Sequence, residues 1–252
     1  MSEKKPQNPS SVSVVAPENS PEVEVEIHGM SEKLNRLRAA VLGANDGIVS
    51  TAAVVVGVAG ATSSMREIAT AGVAALVGGA VSMALGEYVS VSSQRDAEEA
   101  AIENERGLHD ADPDAEFKHL VQAYKNSGLS DQTAIAVARE RTKTDPLGAH
   151  LEVHYGIDQK DLVNPWSAAI ASFISFFLGA LLPLAAVLLA PEVLRVVVTV
   201  LITLIALAVT GAISAKLGGA KPERAVVRLV VGGGLALAVT YLVGTLLGTG
   251  MA

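Results

Sequence analysis

The sequence predicts an all-α membrane protein with five transmembrane helices and a cytoplasmic helical domain between the second and the third. Three observations carry this reading. Half of the 252 residues are hydrophobic, and the mean hydropathy is +0.41. Five apolar runs are long enough to cross a bilayer, which takes roughly 20 helical residues. One acidic stretch separates the second run from the third: fifteen Asp/Glu and eight Lys/Arg stand between Gln94 and Val163, while the rest of the chain balances at eleven of each. That stretch therefore holds the whole net charge of −7. Acid concentrated in one insertion points to a cation ligand rather than to nucleic acid. The absence of Cys excludes disulfides, thiolate metal sites and iron–sulfur clusters.

Taken in order, residues 1–30 are rich in Pro, Ser and Glu and lack the apolar core of a secretory signal, so they read as a disordered tail. The spans are drawn at Leu37–Ala61, Ile68–Ser92, Pro165–Ala190, Val193–Ala215 and Ala225–Gly250. The first two fall within residues 31–93, the insertion occupies 94–163, and the last three spans fill 164–252. Lys33, Arg36 and Arg38 precede the first span, and Lys216, Lys221, Arg224 and Arg228 join the fourth to the fifth. The opposite flanks hold only Arg66 and Arg195. By the positive-inside rule the N-terminus and the insertion are cytoplasmic and the C-terminus is outside. Small residues at Gly72, Ala75 and Gly79, and Gly244-x-x-x-Gly248, suit close helix packing within one subunit or between two. Pro183 and Gly179 mark a candidate kink in the third span.

The first span is interrupted by Gly43-Ala44-Asn45-Asp46-Gly47. Asp46 lies eight residues past Arg38, which puts it about 12 Å along the helix. A carboxylate at that depth costs on the order of 3 kcal/mol and usually faces a water-filled cavity or a cation. Asn45 adds a carbonyl, and backbone carbonyls freed near Gly43 and Gly47 are expected to add ligands, as broken helices do in carriers. On the second span Glu87 lies eight residues short of Arg95, at a matching depth, with Met83 one turn deeper on the same face. Two acids and a thioether make a candidate cation relay.

The insertion carries a second candidate site. Glu98, Ile102, Glu105 and His109 share one stripe of a helix that continues out of the second span. Asp112-Pro113 breaks it, and the next helix sets Glu116 and His119 one turn apart. A turn at Gly128 leads to a third helix, and Asp145-Pro146 opens a short one with His150 and His154 at i, i+4. Four of the five His lie here among acids. Imidazole with carboxylate suits divalent iron, manganese, zinc or nickel.

Two stretches, Gly43-Ala44-Asn45-Asp46-Gly47-Ile48-Val49-Ser50-Thr51 and Ser82–Asp96 with its Met83-Ala84-Leu85-Gly86-Glu87-Tyr88 core, resemble the vacuolar iron transporter family, iron/manganese carriers of yeast and plant vacuoles with bacterial relatives. The likeness covers the chain from about Leu34 to the end, continuing weakly through the insertion and resuming at Ser175–Pro183. It implies five spans, a homodimer whose first spans line the path, and export of ferrous iron from the cytosol against protons. Asp46 and Met83 match the family's path residues. In the family the insertion is a metal-binding arm lined by Glu with some Met. Here Glu105 and Glu116 match Glu positions, whereas Leu108, His119 and His154 stand where Glu is usual, and His150-Leu151 replaces a pair often Met. The metal is thus substrate, not prosthetic group: iron or manganese, with zinc, cobalt or nickel as further candidates. The bilayer, protons and a second copy are the expected partners. The lack of a targeting signal points to a bacterial inner membrane, with the eukaryotic vacuole as the alternative. Two other readings compete. Glu116-x-x-His119 is half of a di-iron carboxylate motif, which would make the insertion a membrane-tethered iron oxidase; the other is a metal sensor without transport.

Overall fold

The computed structural model describes residues 30–159 and 162–250, so the expected N-terminal tail lies outside the described residues. Among these residues helices joined by short connections make up the chain, without strands. In chain order the helices are α1 (Met30–Ala61), α2 (Met65–Ala111), α3 (Pro113–Asn126), α4 (Asp131–Thr144), α5 (Pro146–Tyr155), α6 (Pro165–Leu189), α7 (Arg195–Leu217, after a 3-10 turn at Glu192–Leu194) and α8 (Pro222–Gly250). Five of them, α1, α2, α6, α7 and α8, are long and apolar enough to cross a membrane. Every apolar run in the sequence therefore became a helix. The ends moved: α1 begins before the apolar run, and α2 carries its helix far past Ser92.

The bundle is organised around α1, which packs against α2, α6, α7 and α8, most extensively against α6. Glycine is the reason. A Cβ on Gly43 would stand 2.7 Å from the Ser172 carbonyl oxygen, and one on Gly47 would run into the Phe176 backbone. Gly179 of α6 returns the fit against Ala44. The carbonyls expected to be freed near Gly43 and Gly47 are not: α1 is an unbroken helix, and its glycines serve backbone-to-backbone approach. Pro183 lies inside α6, which runs on through it as one helix. Gly244 and Gly248 seat α8 on Gly57 and Ala61 of α1, so that small-residue motif is used within the subunit. Val55, Ile68, Leu76, Phe176, Leu184 and Val187 form the core where α1, α2 and α6 meet.

At 47 residues, α2 is about 70 Å long, more than twice the roughly 30 Å hydrocarbon thickness, so its C-terminal half stands outside any bilayer it crosses. That half is laced by Gln94–Glu98, Arg95–Glu99 and Glu103–Arg106 contacts of 2.8–3.0 Å, as suits a water-exposed helix. Around it fold α3, α4 and α5, here called the arm. Asp112 and Asp145 each cap a helix begun by proline, accepting from Ala115 N at 3.0 Å and Gly148 N at 2.9 Å. Gly156, at φ +66°, ends α5 in the left-handed conformation that favours glycine. Leu120, Ala138 and Ala149 give the arm its own small core.

Candidate metal sites in the bundle and in the arm

A cleft of ≈ 460 Å³ opens between α1 and α2. Asp46, Ser50 and Val54 line it from successive turns of α1; Ser82, Met83, Gly86 and Glu87 are among the α2 residues facing them; Phe176 of α6 closes its floor. The space exists because α2 is small-sided here. Phe176 lies so close to Gly79 that no Cβ would fit there, and a Cβ on Gly86 would meet nothing. Asp46 is exposed to the cleft and accepts a 2.5 Å hydrogen bond from Ser50 Oγ. Glu87 is only 8% exposed, and its Oε1 is 3.3 Å from Nη2 of Arg38. Met83 packs partly buried against the α1–α2–α6 core. Asp46, Met83 and Glu87 are thus brought together as the sequence pattern suggested. Asn45 is not on that wall: its stripe continues through Val49, Ala52 and Val56, which meet Gly233 and Leu237 of α8, and its Oδ1 is buried without a hydrogen bond. Sequence reasoning missed Ser50, Phe176 and the Arg38 partner. Ser50 was visible as the i+4 neighbour of Asp46. No local signal marks a pairing across 49 residues.

In the arm, Glu105 from α2, Glu116 from α3 and His150 from α5 converge, each offering one ligand atom within 4.8 Å of the others. They are 4%, 5% and 2% exposed. His150 Nδ1 stands 2.9 Å from Glu105 Oε1 and 3.4 Å from Glu116 Oε2, yet neither contact has the alignment of a hydrogen bond. Among the described residues no Lys or Arg pairs with either carboxylate. Two buried carboxylates without a cation are costly, and ligand atoms sharing an ion of about 2.1 Å bond length lie roughly 3–4 Å apart. The trio has that spacing with little adjustment. Burial pushes the His150 imidazole below its ordinary range, against the upward pull of Glu105 and Glu116. A neutral ring is the form that ligates.

The other arm candidates surround this trio without joining it equally. His109 places its ring 6.4 Å from that of His150, with Nδ1 buried and unpartnered. His154 stacks on His150 at 5.6 Å and is exposed. His119, exposed, approaches Glu116 Oε1 at 3.2 Å. Glu98 lies apart and accepts from Gln94 Nε2.

A family model described as the VIT family matches residues 37–245, from the first span almost to the end of the fifth. The chain belongs to the VIT family. It is 39% identical over 211 residues to a protein of Acanthamoeba castellanii named vacuolar iron transporter, covering 83% of this chain and 78% of that one. To vacuolar iron transporter homolog 1 of Oryza sativa subsp. japonica it is 40% identical over 206 residues, 81% of this chain and 71% of the relative. To homolog 2.1 of Arabidopsis thaliana it is 32% identical over 222 residues, 88% and 85% of the two chains. These relatives are named as transporters, not enzymes, which sets the iron-oxidase alternative aside. With five apolar helices, this VIT-family chain is an integral membrane protein.

Proposed function

We propose that the protein carries a divalent metal ion, ferrous iron or manganese, out of the cytosol across its membrane in exchange for protons. The observation that carries this reading is the cleft in which Asp46, Met83 and Glu87 meet between α1 and α2. Carboxylate oxygens supply charge to the ion, and the thioether adds a soft donor that alkaline-earth ions do not reward. A protonated carboxylate is a poor ligand, so proton uptake on the far side releases the ion. The arm, taken as cytoplasmic, first captures the ion on Glu105, Glu116 and His150, with His109, His119, His154 and Glu98 as outlying donors. In that orientation residues 94–163 form the metal-binding domain between the membrane segments 31–93 and 164–252. Two copies related by a two-fold axis would bring their first spans together, which accounts for Asp46 standing exposed in one chain.

The test is metal uptake by proteoliposomes under a pH gradient, screened over iron, manganese, cobalt, nickel and zinc. Wild-type protein is expected to couple uptake to proton movement. Asp46→Ala protein that still moves metal at the wild-type rate would overturn the reading.

A further inference from the structure

The ion pair between Arg38 and Glu87 is the feature of the cleft that a cation path does not by itself require. The cleft holds two carboxylates. Asp46 is met by a neutral hydroxyl, Ser50 Oγ. Glu87 is met by the guanidinium of Arg38, a cation. The carboxylate is the fixed partner, 8% exposed, and the guanidinium the loose one, 60% exposed, reaching down from the basic end of α1 through one 3.3 Å contact. A pair built that way is weak and can be broken by a stronger cation.

We propose that Arg38 is the resident counter-cation of the cleft, a built-in competitor that a divalent ion displaces from Glu87 and a monovalent ion does not. This rests on the reading of the cleft as the transport path. With Arg38 in place, Glu87 is not a bare buried charge, and an arriving ion must offer it more than a guanidinium does. A doubly charged ion bridging Asp46 and Glu87 does so; potassium or sodium, with half the charge, does not. Arg38 therefore weakens metal binding and in return screens out the abundant monovalent cations. The competing account makes Arg38 a strut that holds Glu87 in position. The two accounts predict opposite signs: removing a competitor tightens binding, and removing a strut loosens it.

The experiment uses the full chain and manganese as probe. Manganese is titrated calorimetrically into detergent-purified protein whose arm is silenced by Glu105→Gln, Glu116→Gln and His150→Ala, so that the cleft alone reports. Uptake of manganese by proteoliposomes of arm-intact protein is measured in parallel, which keeps the test alive should the silenced arm fail to fold. Arg38→Gln is expected to bind manganese about two- to fivefold more tightly, the range an exposed pair of this kind supplies. It should also lower half-saturating manganese by a similar factor and make uptake sensitive to potassium. Arg38→Lys, which keeps the charge, restores the weaker binding. The gain should vanish when Glu87→Gln is added, because the competitor then has nothing to occupy. Unchanged or weaker binding in Arg38→Gln, with Asp46 still needed for it, overturns the competitor and leaves the carrier standing. Binding and uptake that survive Asp46→Ala overturn the carrier itself.

Discussion

The cleft and the arm site each rest on two carboxylates and are opposites in construction. In the cleft, Asp46 is exposed and Glu87 already has a positive partner that can leave. Small residues on α2 leave its space open, and its scaffold is backbone pressed on backbone at Gly43, Gly47 and Gly179. In the arm, Glu105, Glu116 and His150 are sealed from solvent, meet no Lys or Arg among the described residues, and are held by side-chain packing around Leu120 and Ala149. A site through which an ion passes must release it. A site that collects ions from a dilute pool must hold them. The contrast in burial and in counter-charge is what the proposed division of labour requires of the two sites.

The largest effect that would sharpen the comparison is on flux. Asp46→Ala should lower proteoliposome uptake by at least about a hundredfold, more than the 10- to 100-fold typical of residues that merely support a ligand. Glu105→Gln with Glu116→Gln should leave uptake at saturating metal within about twofold and raise the concentration needed to reach it. Equal losses at saturation would end the division between capture and passage.

His150→Ala should weaken zinc binding by the arm at least about 100-fold by calorimetry, beyond the loss expected of a residue that only supports a ligand, and manganese binding by less, because nitrogen donors favour the later ion. Equal losses for the two metals would mean that the imidazole is a spacer. This is also where the sequence is most informative. His150, Glu105 and Glu116 were all visible as candidates, since Asp112-Pro113 and Asp145-Pro146 mark the helix breaks that fold α3 and α5 back on α2. That these three, rather than Glu98 or His154, form the trio depends on how far each helix is rotated against its neighbours. No spacing within one helix records that. Asn45 shows the same limit in the bundle: one residue from Asp46 along the chain is about 100° around the helix, enough to take it off the cleft wall. Arg38 read as a topogenic charge, and nothing local to it announces Glu87.

Stability should separate the two scaffolds. Gly47→Ala forces a methyl into the Phe176 backbone and should destabilise the bundle by about 1–3 kcal/mol, as overpacking does. Gly107→Ala, on the arm stretch of α2 with nothing within 4 Å of the new Cβ, should stabilise by up to about 1 kcal/mol through helix propensity. Thermal unfolding in detergent, read by circular dichroism, checks both. A Gly47→Ala protein as stable as wild type would mean that α1 and α6 are not held at backbone contact.

The smallest expected effect tests how Asp46 itself is tuned. Ser50 Oγ donates to Asp46 Oδ1 at 2.5 Å from the next turn of the same helix, so the hydroxyl moves with the carboxylate. A hydrogen bond to a charged group contributes roughly 1.5–3 kcal/mol in a dry setting and less where water replaces it, as it does in an open cleft. The bond fixes one oxygen of Asp46, leaving the other for the ion. Ser50→Ala should therefore keep the fold and the maximal rate, while raising half-saturating manganese about two- to fivefold. Ser50→Thr, which keeps the hydroxyl, should restore the wild-type value. If Ser50→Ala instead tightens metal binding, the hydroxyl competes with the ion for Asp46 as the guanidinium is proposed to compete for Glu87, and both walls of the cleft would then work by the same rule.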